Sequence, residues 1–377
     1  MRLARTLRVG PATYRRLMLR YGTAAAAIAA LPGLARAGGG SPPRVTPRDL
    51  ALREFERAAA YDAHILFVDT PDYPPLLGLA QDAPSVIAVL GDPALLSVPG
   101  VAIVGSRAAS ANGCALADSI AEALAGDGAP VVSGLARGID AAAHEGALRS
   151  GRTIAAIAGG LDKPYPRENI DLQARIGASG AVVAEAPFGT APQARHFPRR
   201  NRIIAGLALG VVVIEAARRS GSLITARLAL DYDREVFAVP GSPLDPRCLG
   251  SNDLIRQGAH LTETAADVRA HLPGLGGGAG AAIDLGRVCA AARKAHMAEP
   301  DVLWDGEINP AGQAALREQL EVLLSPSPTS VDDLIARCQV SPAAVHAILL
   351  ELELAGRVQF LPGQRVMIVG SGGVDPD

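Results

Sequence analysis

Short apolar runs recur between residues 101 and 239, each stopped by glycine or a polar turn: 101–104, 131–133, 153–158, 181–184, 211–215 and 235–239. The segments between them, at roughly 110–125, 139–150, 167–176, 199–208 and 222–232, carry apolar positions at helical spacing. Unbroken apolar strands joined by crossovers of about a dozen residues predict a parallel sheet covered on both faces. The implied fold class is α/β, a Rossmann-like doubly wound parallel sheet. Two further strands, 64–68 and 85–90, precede it, separated by a proline-fixed turn at 72–77.

Both ends follow a different pattern. Gly10-Pro11 opens a helix in which Tyr14, Leu17 and Tyr21 share one face, and Leu31-Pro32-Gly33-Leu34 resembles a turn between helices. Arg2, Arg5 and Arg8 ahead of an alanine-rich run, with Ala35-Arg36-Ala37 behind it, half meet the signal-peptide pattern. The polar segment Arg15–Arg20 fits a small helical module better. A glycine–proline linker at 38–43 leads to a helix over 47–60 whose alternating charges suit solvent. Residues 272–280 are glycine-rich, and 281–312 lack a period.

The tail predicts a helix at 314–324 and a second at 331–338 capped by Thr329. A third helix starts at Ser341-Pro342 and runs to Leu354, and strands 357–360 and 365–369 are joined by 361–364. Three helices and a hairpin make a winged helix. Its third helix carries Ala343, Ala344, His346, Glu351 and Glu353 and no Arg or Lys. Groove-reading helices present Arg, Lys, Asn or Gln, so a protein contact or a degenerate module is favoured here. The resulting partition is 1–40, 41–62, 63–271, 272–312 and 313–370.

A formal net charge of −2 over 377 residues removes any global nucleic-acid signature, so a polyanion site must be a local patch. Aromatics at 3% confine base stacking to a few positions. Cys114, Cys248, Cys289 and Cys338 are far apart, with no CxxC, which disfavours zinc or disulfides and fits a reducing cytosol. No metal or cofactor is expected, and no run of 18 apolar residues predicts a membrane span.

The candidate patch lies in 195–227. Arg195, Arg199, Arg200 and Arg202 fall within eight residues, with Phe197 and Asn201 among them, and no acid lies between Glu185 and Glu215. Beyond the strand, Ser220-Gly221-Ser222 turns into a helix that holds Thr225. A basic rim beside a strand–turn–helix cradle suits a polyanion. Some of these arginines could instead brace neighbouring loops.

Three other loops follow strands. Gly105-Ser106-Arg107 offers close backbone approach, a hydroxyl and a forked cation. Ser133 to Asp140, with Gly134 and Arg137, precedes a helix N-terminus, and Asp140 is expected to cap that helix. Residues 159–169 add Lys163, Arg167 and a proline-flanked Tyr165, a stacking surface or a structural turn. The turn at 220–222 lacks a Walker lysine, Gly105-Ser106-Arg107 is not a dinucleotide fingerprint, and His144-Glu145 fits packing or capping.

The stretches VAIVGSR (101–107), SGLARGIDAAAH (133–144), GGLDKPYPREN (159–169), FPRRNRIIAGLA (197–208), VVVIEAARRSGSLITARLAL (211–230) and VFAVPG with LGSNDLIRQGA (236–259) resemble the DNA-processing protein A (DprA/Smf) family. DTPDYPPLL and GDPALL upstream also match, so the resemblance spans about 60–270. The ends are similar in kind to a SAM-like or helix-hairpin-helix start and a winged-helix tail. The resemblance implies a cytoplasmic, often dimeric protein. It would bind incoming single-stranded DNA in natural transformation, protect it and load the RecA recombinase. It also implies a DNA pocket using Arg107 and the 199–202 segment, lined by Gly134 and Lys163, with Ser110 fitting the pattern. Ala205 and Ala208 stand where the family often has serine.

Two rival readings follow from the residues. One is a phosphoribohydrolase-like enzyme, with Glu215 the only obvious acid at the cradle. The other is a transcription regulator acting through the winged helix.

Overall fold

The computed structural model describes residues 1–68, 70–272, 275, 310–361 and 365–369. Most of the expected 272–312 linker, Cys289 and the turn residues 362–364 lie outside the described residues. The chain begins with α1 (Pro11–Tyr21), α2 (Ala24–Ala37), α3 (Arg48–Ala60), β1 (Ala63–Phe67), α4 (Pro75–Leu79) and β2 (Val86–Gly91). It continues with β3 (Gly100–Gly105), α5 (Ala111–Gly126), β4 (Val131–Ser133), α6 (Ile139–Leu148), β5 (Thr153–Ile157), α7 (Ile170–Ser179) and β6 (Ala181–Ala184). Then come α8 (His196–Leu207), β7 (Ala208–Ile214), α9 (Ser222–Asp231), β8 (Glu235–Ala238), α10 (Leu249–Arg256), β9 (His260–Leu261) and α11 (Ala265–His271). The tail holds α12 (Pro310–Leu323), β10 (Thr329–Ser330), α13 (Val331–Cys338), α14 (Pro342–Leu354), β11 (Val358–Leu361) and β12 (Arg365–Ile368). Two compact units result: Leu52–Ala292, and Met1–Ala51 together with Arg293–Asp377.

The larger unit is one nine-stranded sheet in the order β1-β2-β6-β5-β4-β3-β7-β8-β9. Strands β6 through β9 in that order are parallel. β1 and β2 are antiparallel, to each other and, for β2, to β6. The sheet is therefore mixed at this edge rather than wholly parallel. The segment joining β1 to β2 holds only the five-residue α4, too short for a crossover that would keep the strand direction. Alternate strand residues Val101, Ile103, Val131, Val212, Ile214 and Phe237 pack under α5, α6 and α11, and Ala155, Ile157, Val182 and Ala184 pack with α7. The opposite pleat faces α8 and α9.

From β3 the chain winds outward through β4, β5 and β6, then returns to β7 on the other side of β3. α8 is that return, and it packs across β5, β4, β3 and β7. The reversal puts a topological switch point between β3 and β7, where open α/β sheets bind ligands.

The smaller unit joins the N-terminal helices to the tail. α2 is continuous through Pro32, so the expected turn at 31–34 is a helix. Alanine-rich flanks and the buried Leu31 and Leu34 keep it helical across the proline, whose carbonyl still accepts from Arg36 Nε. No single helix among the described residues is long and apolar enough to cross a membrane. The bent pair α1–α2 meets that test by length and composition only.

In the tail Ser341 caps α14, with Pro342 in its first turn. Thr329 does not cap α13. Its extended backbone joins β12 as β10, and Ser330 takes the cap position. Leu316, Leu320, Val331, Leu334, Val345, Ile348, Leu349, Leu352 and Val366 form the winged-helix core.

Glu353, on α14, turns its carboxyl into the contact with the N-terminal helices. The Thr13 hydroxyl and the Phe360 backbone N–H donate to it, and the Arg16 guanidinium lies 4.5 Å over the Phe360 ring. Burial raises the Glu353 pKa to about 7, against the pull of Thr13 and Arg16. The folded chain thus holds this proton more tightly than the unfolded chain, whose carboxyl titrates near 4.5. The contribution is fully present below pH 4.5 and is lost as pH rises through 7, by up to about 3 kcal/mol. The melting temperature of this unit should fall between pH 5 and pH 8, and Glu353→Gln should flatten that dependence. An equal pH slope in the variant would contradict the assignment.

Candidate nucleic-acid interface

The loops after β3, β4, β5, β6 and β7 share the carboxyl edge of the sheet, because those strands are parallel neighbours. Two of them look like phosphate cradles, and both are filled by the chain's own carboxylates. Asp140 Oδ2 accepts from the Gly134 N–H at 3.1 Å and the Ala136 N–H at 3.3 Å. It therefore ties down the loop before α6 instead of capping the helix, whose N-cap, Gly138, has no side-chain cap. Ser133 Oγ donates to Ile103 O inside the sheet.

At the switch point Glu215 sits in the left-handed region at φ 50°. One of its oxygens accepts from Ser110 N–H at 2.8 Å and the other from Ser110 Oγ. A carboxylate at the start of α5 complements the helix dipole and satisfies end N–H groups. An added Cβ at Gly113 would lie 2.7 Å from the Glu215 carboxyl carbon, so a side chain there would push this carboxylate aside. Glu215, the one obvious acid for the enzyme reading, has both of its oxygens bonded to Ser110.

The four arginines divide into two kinds. Arg200 and Arg202 are each only 6% exposed. Arg200 Nη1 donates to the carbonyls of Gly134 and Ala156, the latter at 2.9 Å, and so braces the ends of β4 and β5. Burial lowers the Arg200 pKa to about 10 against the attraction of Asp140, and burial raises that of Asp140 against Arg200. Gly134 is required because a Cβ there would fall inside the guanidinium.

Arg202 Nη2 meets Glu185 Oε1 at 2.5 Å, and its Nη1 donates to Asp82 O. Burial pushes Glu185 up, but Arg202 and Arg199 outweigh it and hold the carboxyl below its usual range. Arg200 and Arg202 are therefore loop braces, the alternative that the sequence left open.

The second kind faces solvent. Arg195 and Arg107 are exposed, and so is Arg199, which pairs with Glu185 at 2.7 Å. Arg137 is exposed and pairs with Glu168 at 2.7 Å, and Lys163 is exposed. α8 begins at His196, earlier than expected, so Phe197 stands in its first turn. There the Arg107 guanidinium lies 5.1 Å from the Phe197 ring centroid, and Tyr165 meets Phe197 edge-on at 5.7 Å. Tyr165 is 48% exposed. Two loops and the start of α8, distant in sequence, thus meet in one cation–aromatic cluster.

The remaining expected residues make contacts within the chain. Gly105 packs against the Ile139 side chain and the β7 backbone, and Ser106 Oγ accepts from Ala108 N–H at 3.2 Å. Asn201 Nδ2 donates to Gly221 O at 3.3 Å, holding the 220–222 turn against α8. Ser220 and Ser222 share a 2.6 Å hydroxyl contact, and Thr225 is buried. His144 is buried: its Nε2 accepts from Leu135 N–H, its Nδ1 meets Thr153 Oγ1 at 2.7 Å, and burial lowers its pKa to about 3. The sequence missed the Asp140–Arg200 partnership. Its only signal was an arginine run entering an apolar segment.

A family model described as DNA recombination-mediator protein A matches residues 64–273. A DprA-like N-terminal HHH domain matches 1–57, and a DprA winged helix domain matches 308–364. Protein Smf of Escherichia coli is 38% identical over 310 residues, 81% of this chain and 77% of that one. DNA processing protein DprA of Streptococcus pneumoniae is 47% identical over 199 residues, 52% and 70% of the two chains. The X-ray structure of DNA processing protein A from the same species superposes with a TM-score of 0.57 at 42% identity, covering 60% of this chain and 78% of that one.

If Arg200 is a brace, Arg200→Leu should destabilise the larger unit by about 3–5 kcal/mol, since Asp140 is left buried without its cation. Arg107→Ala should leave the same unfolding midpoint nearly unchanged. Chemical denaturation separates the two, and equal small shifts would contradict the division.

Proposed function

The chain belongs to the DNA recombination-mediator protein A family, also called DprA/Smf, and on that footing we propose that it binds single-stranded DNA, shields it and loads the RecA recombinase on it. The observation that carries the reading is the cluster of Arg107, Phe197 and Tyr165 at the carboxyl edge of the sheet. Aromatic faces accept any base, and a guanidinium held beside them can reach the adjoining phosphate. Lys163, Arg195 and Arg199 extend the positive rim on the same edge. Asp140 and Glu215 fill the loop before α6 and the start of α5, and the exposed side chains are the groups this reading gives to phosphates.

A strand lying across exposed cations and rings is read by its backbone and by stacking, without a base code. Duplex DNA hides its base faces, so the cluster favours the single strand. Family membership supports the delivery step, in which the bound strand passes to RecA during natural transformation and recombination. The reading also includes a cytoplasmic location and pairing of two copies.

Labelled oligothymidylate and a duplex of equal length test the binding step by anisotropy. The single strand should bind more tightly. Phe197→Ala should cost about 1–3 kcal/mol, the range for one stacked base. Equal affinity for the two forms, or unchanged binding by an Arg107→Ala/Phe197→Ala variant, would reject this interface. For the delivery step, RecA filaments should form sooner on a strand pre-coated with single-strand binding protein when this protein is added. An unchanged lag would reject it.

A further inference from the structure

In a winged helix the third helix packs one face on the domain core and offers the other to the DNA groove. In this chain both faces of α14 are covered. Val345, Ile348, Leu349 and Leu352 belong to the winged-helix core. Ala347, Leu350 and Leu354 lie on the opposite face, outside that core, and are buried too. The element on that side is α2 of the N-terminal helices, within the same compact unit.

The fit between them is close. A Cβ added at Gly38 would strike the Glu351 carbonyl, and one at Gly40 would lie 2.5 Å from the Ala355 carbonyl oxygen. Arg8 Nη1 donates to Leu354 O, and Thr13 donates to Glu353. The polar positions of α14 fit the same picture. His346, Glu351 and Glu353 include no Arg, Lys, Asn or Gln for base edges. Arg317 pairs with Glu351, which takes up one of the two acids.

We propose that α14 is a protein-docking helix whose occupant is the chain's own N-terminal helical module. The module closes the face a winged helix would use on DNA, and the two ends of the chain act as one body. The tail then adds no groove contact through α14, and any outside protein that binds this face must first displace α2. This inference is independent of the single-strand interface, which lies wholly in the other unit.

Peptide-resolved hydrogen exchange on the full-length protein tests it. Gly38→Val places atoms against the Glu351 carbonyl and should speed exchange in α2 and α14 together by at least tenfold. Exchange in α12, α13 and the larger unit should stay as in the wild type. Leu350→Ala, a milder change outside the winged-helix core, should give the same pattern at smaller amplitude. Saturating short duplex DNA should leave α14 exchange in the wild type unchanged. Slow exchange of α2 and α14 retained in both variants would overturn the proposal. So would duplex DNA that protects α14 while releasing α2. If Gly38→Val also loosens α12 and α13, the Leu350→Ala pattern decides.

Discussion

The carboxyl edge of the large sheet depends on one buried cation. Arg200 reaches from α8 across the ends of two strands and holds the Gly134 and Ala156 carbonyls. Asp140 faces it and gathers the amides of the same loop. A guanidinium at this depth is tolerable because its hydrogen bonds and a carboxylate offset the loss of water. The arrangement also dictates a glycine at 134, since any side chain would occupy the space of the cation. The same guanidinium lies 6.0 Å from the centre of the Phe197 ring, which also meets Arg107 and Tyr165.

The same economy of charge shapes the surface. Carboxylates from within the chain satisfy the loop before α6 and the start of α5, and Glu185 neutralises Arg202 beneath the rim. Toward solvent stand Arg107, Lys163, Arg195 and Arg199 with Tyr165, while the exposed Glu168 is paired with Arg137. Exposed cations and ring faces are what the proposed strand-binding surface needs.

The architecture was legible in the sequence because buried parallel strands are apolar runs and their crossovers keep helical spacing. The central strands from 101 to 239 therefore matched within a residue or two, except that β7 begins three residues earlier than expected, and Ser341-Pro342 marked the start of α14 through its cap chemistry. The antiparallel edge was not legible, since strand direction depends on the path of the connection and not on the strand residues. Pro32 misled because burial of its neighbours overrode its local preference. Within the patch, four arginines looked alike. Which of them sink into the sheet is set by α8 crossing beneath it, a long-range fact that an arginine run does not carry. Arg107 and Phe197, 90 positions apart, meet only through the sheet order.

The most direct test of the central claim, that exposed cations at this edge hold DNA phosphates while buried ones hold the loops, is the salt dependence of single-strand affinity. Wild-type affinity should fall steeply and log-linearly with salt. Arg107→Ala should reduce the slope by roughly 0.7, the change expected for losing one phosphate contact on a single strand. A slope that Arg107→Ala leaves unchanged would contradict the account.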